Sequence, residues 1–405
     1  MSSELATVLD LGSTKIACLA ACYGKSGALD IRAAATAECK GVRRGVVADL
    51  DETSAAITVA IQRAEQQLGE DIGSLVVGIA GSHLEGVNAQ GFVPIYPRSR
   101  TITREDVLQV INHSRQVVLP PDREQIEAIP REFRIDGQRG IQRPIGMSGG
   151  RLEVVTYLVT GQTTHLQNVE KAVSMAGRQV EQMVLQPLAS GLGVLTAEEL
   201  DLGVVVADVG GGTTDVAVFS GGSIAFSASL PIGGQLVTSD LSKLLKTSPD
   251  EAERLKTEAG CALARLVGEK ESVTVTQLGQ AEARPLQRRV LCEIIESRMR
   301  EIAKMVWQQI ERSGLNGMLP GGIVLTGGGS RLSGSADLFG DVLKNMRVRV
   351  GEPDVDGKAH GGYSFATAVG LARYALDSFE DELVPASGVT DWKQKIRTLW
   401  SVIRT

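Results

Sequence analysis

The sequence predicts an α/β protein made of two similar halves. Two glycine-rich turns carry this prediction, because each follows one apolar run and precedes another. The first turn is Asp10-Leu11-Gly12-Ser13-Thr14-Lys15, and the second is Asp208-Val209-Gly210-Gly211-Gly212-Thr213-Thr214-Asp215. Short apolar runs bounded by glycine are typical of buried strands. A repeated strand–turn–strand unit therefore predicts two related sheets that face a single ligand.

Both turns have residues suited to a phosphate site. The three glycines from Gly210 to Gly212 let the backbone approach a ligand closely and direct N–H groups toward it. Asp10 and Asp208 stand at the ends of predicted strands, where a carboxylate can hold the water shell of Mg²⁺. The sequence therefore predicts a polyphosphate between the halves, with Mg²⁺ held by Asp10 and Asp208 through water.

A third glycine cluster, Gly327-Gly328-Gly329-Ser330, follows the apolar run Ile323-Val324-Leu325. It contains no acid and suits a flat, uncharged group such as a purine base. The three motifs in this order resemble the actin / Hsp70 / sugar-kinase superfamily, a pattern that a random chain would rarely supply. The resemblance implies an actin-like two-lobe fold, a duplicated ribonuclease-H-like architecture that binds ATP. The first two turns would contact the phosphates and the third the adenine.

Composition excludes several other classes of protein. The chain has 405 residues, enough for two large domains, and 43% of them are hydrophobic. A net charge of −6 argues against a nucleic-acid-binding protein. An odd number of cysteines, five, without a secretory signal predicts free thiols in the cytosol. The four histidines are far apart in sequence and indicate no metal site.

The resemblance narrows to one family between residues 82 and 178. There Phe133-Arg134-Ile135-Asp136-Gly137, and Ile141 to Gly149 after it, closely resemble the inserted subdomain of the bacterial cell-division FtsA family. Two predicted helices and about three predicted strands indicate a small α/β unit. The resemblance implies contacts along filaments and with other division proteins through this insertion. The alternative is a loop insertion without a partner.

The resemblance covers about residues 4 to 376 and implies an order of subdomains. We expect the first-lobe core at 1–81 and 179–202, the inserted subdomain at 82–178, the second-lobe core at 203–235 and 321–376, a helical subdomain at 236–320, a linker at 377–390, and a C-terminal amphipathic helix at 391–405.

After the insertion, the segment Gln182 to Gly191 resembles the superfamily connection whose Gln or Glu faces the attacking water. Gln186 holds that place, and an amide can orient a water but cannot take its proton. The resemblance therefore implies catalytic positions for Gln186, Asp10 and Asp208, and at most a slow ATPase used as a switch. The alternative for Gln186 is a polar helix cap before Pro187.

A ribose contact is also implied. Gly233 and Gly234 would let a helix start beside the nucleotide, and Glu253 and Lys256 share a predicted helix face. Their Ala-Glu-x-x-Lys-x-x-x-Gly pattern resembles the superfamily helix that contacts the ribose; the alternative is a solvated ion pair worth little. The expected nucleotide-contacting residues are Gly12, Ser13, Thr14, Lys15, Gly210, Gly211, Gly212, Thr213, Gly233, Gly234, Glu253, Lys256, Gly327, Gly328, Gly329 and Ser330.

The last fifteen residues predict a basic amphipathic helix. Its apolar residues fall on one helical face, and its basic residues lie between them. They are Trp392, Ile396, Leu399, Trp400 and Ile403, with Lys393, Lys395 and Arg397. So short a helix is marginal in water, whereas an anionic bilayer can bury its apolar face and attract its cations. The FtsA family ends in such a helix. Docking on the core is the alternative, and the acidic linker argues against it.

The resemblance implies a membrane-tethered, actin-like cell-division protein. It would polymerise at the cytoplasmic face of the bacterial inner membrane, at the division site, anchor the FtsZ ring and recruit later division proteins. We expect FtsZ to bind within residues 236–320. Two alternatives stay open. A pilus-assembly actin homologue generally lacks the basic terminal helix, and a sugar kinase would need an acid or base that we do not find outside the nucleotide motifs.

Overall fold

The structure, a computed structural model, describes residues 5–24, 27–280, 282–344, 346–355 and 362–383. The predicted terminal helix at 391–405 lies outside these residues. Within them, no helix combines the length and apolar character that crossing a membrane requires. All five cysteines are described, buried and free, as expected.

The described elements are runs of strands interspersed with helices. The first part holds β1 (Ala6–Leu11), β2 (Lys15–Tyr23), β3 (Leu29–Glu38), β4 (Val42–Arg43), β5 (Val46–Val47), α1 (Leu50–Leu68) and β6 (Ser74–Ile79). The middle holds β7 (Leu84–Pro94), α2 (Arg104–Ser114), β8 (Arg123–Ile135), β9 (Gln138–Ile141), β10 (Arg151–Gln162), α3 (Thr163–Met175), β11 (Gln179–Leu185), α4 (Gln186–Val194) and α5 (Ala197–Leu202). The last part holds β12 (Val204–Val209), β13 (Thr214–Ser220), β14 (Ser223–Leu230), α6 (Gly234–Leu245), α7 (Pro249–Ala259), β15 (Ser272–Val275), β16 (Arg284–Gln287), α8 (Arg288–Arg312), β17 (Ile323–Thr326), α9 (Ser335–Val342), β18 (Val348–Val350) and α10 (Ala366–Leu383).

Two five-stranded sheets share one topology. The first has the order β3-β2-β1-β6-β11, and the second has the order β14-β13-β12-β17-β18. In each, the strand that leads into an Asp-containing turn is central. It pairs antiparallel with the next strand in sequence and parallel with a strand that returns later. The predicted duplication is therefore confirmed, and each turn lies at the end of the central strand of its sheet.

Two helices, α4 and α10, pack between the lobes. Their buried side chains share one cluster with residues of β1, β2, β12 and β13. Glycines allow the helices to approach closely: a Cβ on Gly193 would lie 2.2 Å from the carbonyl oxygen of Ala366, and one on Gly370 would lie 1.7 Å from that of Ala189. This contact brings the N-terminal ends of both helices to the region between the two turns.

The insertion has a hydrophobic core of its own. Its sheet has the order β7-β10-β8-β9, and α2 covers one face through Val107, Val110 and Ile111. The helix α3 was predicted within this unit. Instead its residues Leu166 and Val173 belong to the core of the first lobe, where they share a cluster with residues of α1. The separate core of the insertion thus lies within residues 93–154, whereas α3 packs on α1 of the first lobe; the boundary at 178 stays a prediction.

The stretch 236–320 is not a separate hydrophobic unit. Val237 and Leu241 of α6, and Ile295 and Met299 of α8, share one buried cluster with Val205 of the second sheet. The helices α6 and α8 therefore cover the sheet of the second lobe, and the boundaries at 236 and 320 stay a prediction. The longest helix of this stretch is α8, which begins at Arg288, directly after β16.

The helix α10 is longer than predicted. The sequence places a linker at 377–390, whereas α10 continues to Leu383. The hydroxyl of Tyr23 donates to Oδ1 of Asp377 at 2.6 Å and ties this part of the helix to β2. Residues 384–390 of the predicted linker lie outside the described residues.

Candidate functional site

The two Asp-containing turns meet face to face. A Cβ on Gly211 would lie 2.3 Å from Cγ2 of Thr14, and one on Gly212 would lie 2.6 Å from Cβ of Ser13. Within the first turn the backbone is also tightly packed, since a Cβ on Gly12 would lie 2.6 Å from the carbonyl oxygen of Lys15. The structure therefore brings together both sets of residues that the sequence predicts to contact phosphates. Only glycine fits at the points where the turns meet.

The third turn lies against the second. Gly327 adopts a φ of +79°, and a Cβ there would lie 2.1 Å from Oδ1 of Asp208. A Cβ on Gly329 would lie 2.4 Å from Cγ1 of Val209. The hydroxyl of Ser330 donates to the carbonyl of Gly327 at 2.7 Å, so this side chain stabilises the turn itself. Gly328 faces open space among the described residues, which leaves the turn accessible to a flat ligand.

The predicted ribose residues lie beside the second turn. The backbone N–H of Gly234 donates to the carbonyl of Gly210 at 2.9 Å, and α6 starts there. The ammonium of Lys256 donates to the carbonyl of Gly234 at 3.2 Å and to Oε2 of Glu253 at 2.6 Å. The Lys256 side chain is only 13% exposed. The ion pair is therefore largely buried at its lysine end and is fixed to the helix start, unlike a solvated surface pair.

Three carboxylates gather where the strands end. Burial raises the pKa of Asp10 to about 7; the cation of Lys15 opposes this shift, and the carboxylate of Asp208 adds to it. Burial also raises the pKa of Asp208, against hydrogen bonds from Ser190 and Thr367. Burial raises the pKa of Asp215 to about 7, although Ser229 donates to it at 2.5 Å. Burial thus opposes the charged form of these carboxyl groups, and neighbouring carboxylates add to the effect at Asp10 and Asp215. Among the described residues, no group of three or more His, Cys, Asp or Glu side chains is placed to hold a metal ion directly.

The single lysine of the first turn, Lys15, lies near the carboxylates of Asp10 and Asp208. Burial lowers the pKa of Lys15, and the carboxylates of Asp10 and Asp208 oppose this shift. Its ammonium donates to the carbonyl of Ser364 at 2.6 Å and lies 4.8 Å from the ring centroid of Phe365. Lys15 thus joins the first turn to the start of α10 and offers its charge to the same site.

Gln186 reaches the carboxylate cluster from the start of α4. Its Nε2 donates to Oδ1 of Asp10 at 2.7 Å and to the carbonyl of Gly78 at 3.2 Å. The residue is 7% exposed, and its side chain makes no capping bond to the helix. The helix-cap alternative is therefore wrong, and the amide lies next to Asp10, as a residue that orients a water would.

Four residues of the site were missed by the sequence analysis. Ser190 donates to Oδ2 of Asp208 at 2.7 Å, and Thr367 donates to the same oxygen at 3.0 Å. Asp215 and its donor Ser229 complete the cluster. Asp215 could have been found, because an antiparallel hairpin places it directly opposite Asp208. Ser190 and Thr367 had no local signal, since they lie on helices that only the tertiary fold brings to Asp208.

Family comparisons agree with this geometry. The model described as cell division protein FtsA matches residues 205–370, and the model of the SHS2 domain inserted in FtsA matches residues 81–160. The chain is 37% identical over 383 residues to the cell division protein FtsA of Pseudomonas aeruginosa. The match covers 94% of this chain and 91% of the relative. This chain belongs to the FtsA family. The FtsA of Escherichia coli K12 is 34% identical over 385 residues and covers 93% of this chain.

Comparison with solved structures agrees on the fold of this chain. The PilM–PilN type IV pilus biogenesis complex matches with a TM-score of 0.62 at 17% identity, covering 92% of this chain and 98% of that one. MreB5 of Spiroplasma citri bound to ADP matches with a TM-score of 0.57 at 13% identity, covering 93% and 98%. At such identities the likeness concerns the fold alone. The predicted actin-like fold is thereby confirmed, and membership of the FtsA family decides against the pilus-assembly and sugar-kinase alternatives.

Proposed function

We propose that this protein binds ATP with Mg²⁺, polymerises, and anchors the FtsZ ring to the cytoplasmic face of the inner membrane at the division site. Family membership supports a role in cell division. The observation that carries the nucleotide part is the meeting of two Asp-containing turns, one from each lobe, around clustered carboxylates. Equilibrium binding of ATP to the full chain, with and without Mg²⁺, tests this part. No binding in either condition would contradict it.

Each motif has a part in the proposed complex. Residues 12–15 and 210–213 would contact the phosphates, Glu253 and Lys256 the ribose, and residues 327–330 the adenine. Asp10 and Asp208 would hold Mg²⁺ through its water shell, and the ion would neutralise charge on the phosphates. Packing of the turns against one another supports this arrangement, because a ligand on one turn also lies against the other.

Gln186 is proposed to orient the attacking water in a slow hydrolysis. Gln186→Ala is expected to reduce ATP hydrolysis about tenfold or more while ATP affinity changes little, because the amide acts on the water rather than on the phosphates. Single-turnover hydrolysis and equilibrium binding measure the two effects. Gln182→Ala is the matched control, since Gln182 also carries a partly buried amide, on β11, but donates to Tyr374 at 2.8 Å. Equal hydrolysis in the two variants would exclude this role for Gln186.

FtsZ is proposed to bind the outer surface of residues 236–320. Two leucines support this placement: Leu244 is 65% exposed and Leu278 is 69% exposed. They belong to neighbouring segments, because the N–H of Leu278 donates to the carbonyl of Lys246 at 2.8 Å. Neighbouring exposed leucines are typical of an interaction surface.

The double change Leu244→Glu with Leu278→Glu is expected to weaken FtsZ binding about tenfold or more, since hot-spot truncations commonly cost that much. Co-sedimentation with FtsZ filaments measures it. Deleting the whole stretch would not be informative, because α6 and α8 form part of the core. Leu202→Glu is the control, at a leucine that is 59% exposed outside the stretch. Unchanged FtsZ binding in the double variant would place the partner elsewhere.

Contacts with other division proteins are proposed on the insertion. Phe92, in the edge strand β7, is 50% exposed. Tyr96, two residues after the end of that strand, is 84% exposed. Exposed aromatic side chains at a sheet edge are typical of protein interaction sites. The proposal rests on these residues together with the family match over residues 81–160.

A further inference from the structure

The hairpin of β4 and β5 has an unusual residue at its tip. Arg44 and Gly45 form its two-residue turn, with φ values of +52° and +78°. Two positive φ values in a two-residue hairpin turn correspond to the type I′ geometry, which favours Asn followed by Gly. Arginine is poorly suited to a left-handed conformation, and residues held in such conformations cluster at functional sites. Arg44 thus occupies a backbone conformation that a short residue such as Asn adopts with less strain.

This tip touches the turns of both lobes. The N–H of Gly45 donates to Oγ of Ser13 in the first turn, at 3.3 Å. A Cβ on Gly212 in the second turn would lie 3.3 Å from the backbone nitrogen of Arg44. Arg44 is therefore the cationic residue at the junction where the two turns meet.

The three turns indicate which end of the proposed nucleotide lies near Arg44. The third turn, expected under the base, packs on Asp208 and Val209 at the start of the second turn. Gly212 lies at the other end of that turn. A polyphosphate that runs along the turn away from the base therefore ends near Gly212, and so near Arg44.

The guanidinium is available for a ligand. Arg44 is exposed, and among the described residues its side chain has no hydrogen bond or ion pair. The neighbouring Lys40, in contrast, pairs with Glu38 at 3.2 Å. A guanidinium can donate two parallel N–H bonds to the oxygens of one phosphate, which gives both strength and a fixed geometry.

We infer that Arg44 binds the terminal phosphate of a nucleoside triphosphate and lets this protein distinguish triphosphate from diphosphate. The inference rests on the proposed nucleotide site. Because the hairpin belongs to the first lobe and its tip contacts the second, this bond also connects the lobes. Loss of the terminal phosphate removes the bond and weakens that connection.

Arg44→Asn in the full chain tests the inference, since Asn suits the turn and removes only the cation. Calorimetry with Mg²⁺ compares a non-hydrolysable ATP analogue with ADP. We expect Arg44→Asn to weaken the analogue about tenfold or more, because a charged hydrogen bond is lost, and to leave ADP affinity within about twofold. Arg43→Ala is the matched control on the same hairpin, and it should change neither affinity. An unchanged melting temperature of Arg44→Asn verifies the fold.

The outcomes separate this inference from the site it rests on. Binding of both ligands by the unsubstituted chain, with equal affinities in Arg44→Asn, would overturn the role of Arg44 and leave the nucleotide site standing. An equal loss of affinity for the ATP analogue and for ADP would likewise show that Arg44 does not distinguish triphosphate from diphosphate. If the unsubstituted chain binds neither ligand, the proposed nucleotide site itself is refuted, and the inference with it.

Discussion

Gly211→Val is expected to abolish nucleotide binding. The new Cβ would lie 2.3 Å from Cγ2 of Thr14, a distance at which one of the two turns must move. A valine side chain would then fill the space between the turns that the phosphates are proposed to occupy. We expect ATP affinity to fall about a hundredfold or more, because the valine side chain and the phosphates would compete for the same place. Fluorescence or calorimetric titration measures the loss.

Gly317→Val is the matched control for this change. No described atom lies within 4 Å of the position that a Cβ on Gly317 would take, and neither glycine has a positive φ. Comparison of the two variants therefore separates the loss of space at the site from a general effect of valine on the chain. Full ATP affinity in a folded Gly211→Val variant would refute the phosphate assignment of this turn.

The double change Trp400→Glu with Ile403→Glu is expected to release the protein from membranes. Both positions belong to the apolar face of the predicted terminal helix, and a charge on that face opposes insertion into the lipid. The variant should still fold and bind ATP, because the proposed helix is joined to the lobes only by the segment that follows α10. Sedimentation with liposomes that contain anionic lipid measures the loss.

A second variant distinguishes the apolar from the electrostatic contribution. Neutralising Lys393, Lys395 and Arg397 should weaken sedimentation and reduce its sensitivity to salt without abolishing it, because salt screens only the charge attraction. If the glutamate variant still sediments with liposomes, the terminal segment is not the anchor. If it unfolds, the segment is part of the folded core instead.

The duplicated fold could be predicted because its signals are local. Each Asp-containing turn is flanked by apolar runs that match the observed strands: β1 and β2 in the first lobe, β12 and β13 in the second. The contacts between the turns follow from the same residues, since Gly211 and Gly212 lie directly against Thr14 and Ser13. The local sequence was therefore sufficient to predict the two sheets and to predict that the two Asp-containing turns face each other.

The elements that cover the apolar faces of α3 and α8 could not be predicted from the sequence. The apolar stripe of α3 is the same whether it packs in the insertion or, as observed, on α1. The stripe of α8 likewise does not reveal that it lies on the second sheet. Periodicity shows that a helix has an apolar face but does not identify the partner of that face.

The hydrogen bonds around the carboxylates were also beyond local prediction. Ser190 and Thr367 converge on Asp208 from α4 and α10, which are far apart in sequence and meet only through their glycine contacts. The contact of Gln186 with Asp10 was not predicted either, because its expected place facing the attacking water rested on a family resemblance rather than on a pattern in the residues. Such convergence requires the tertiary structure.

Electron microscopy of the full-length chain on an anionic lipid monolayer tests the account most directly. The account predicts filaments on the lipid when ATP and Mg²⁺ are present, and their loss in Gly211→Val. It also predicts their loss from the lipid in the Trp400→Glu and Ile403→Glu double variant, which should keep its ATP affinity. Unchanged filaments on the lipid in both variants would contradict the proposal that a nucleotide-bound, membrane-anchored polymer is the active form.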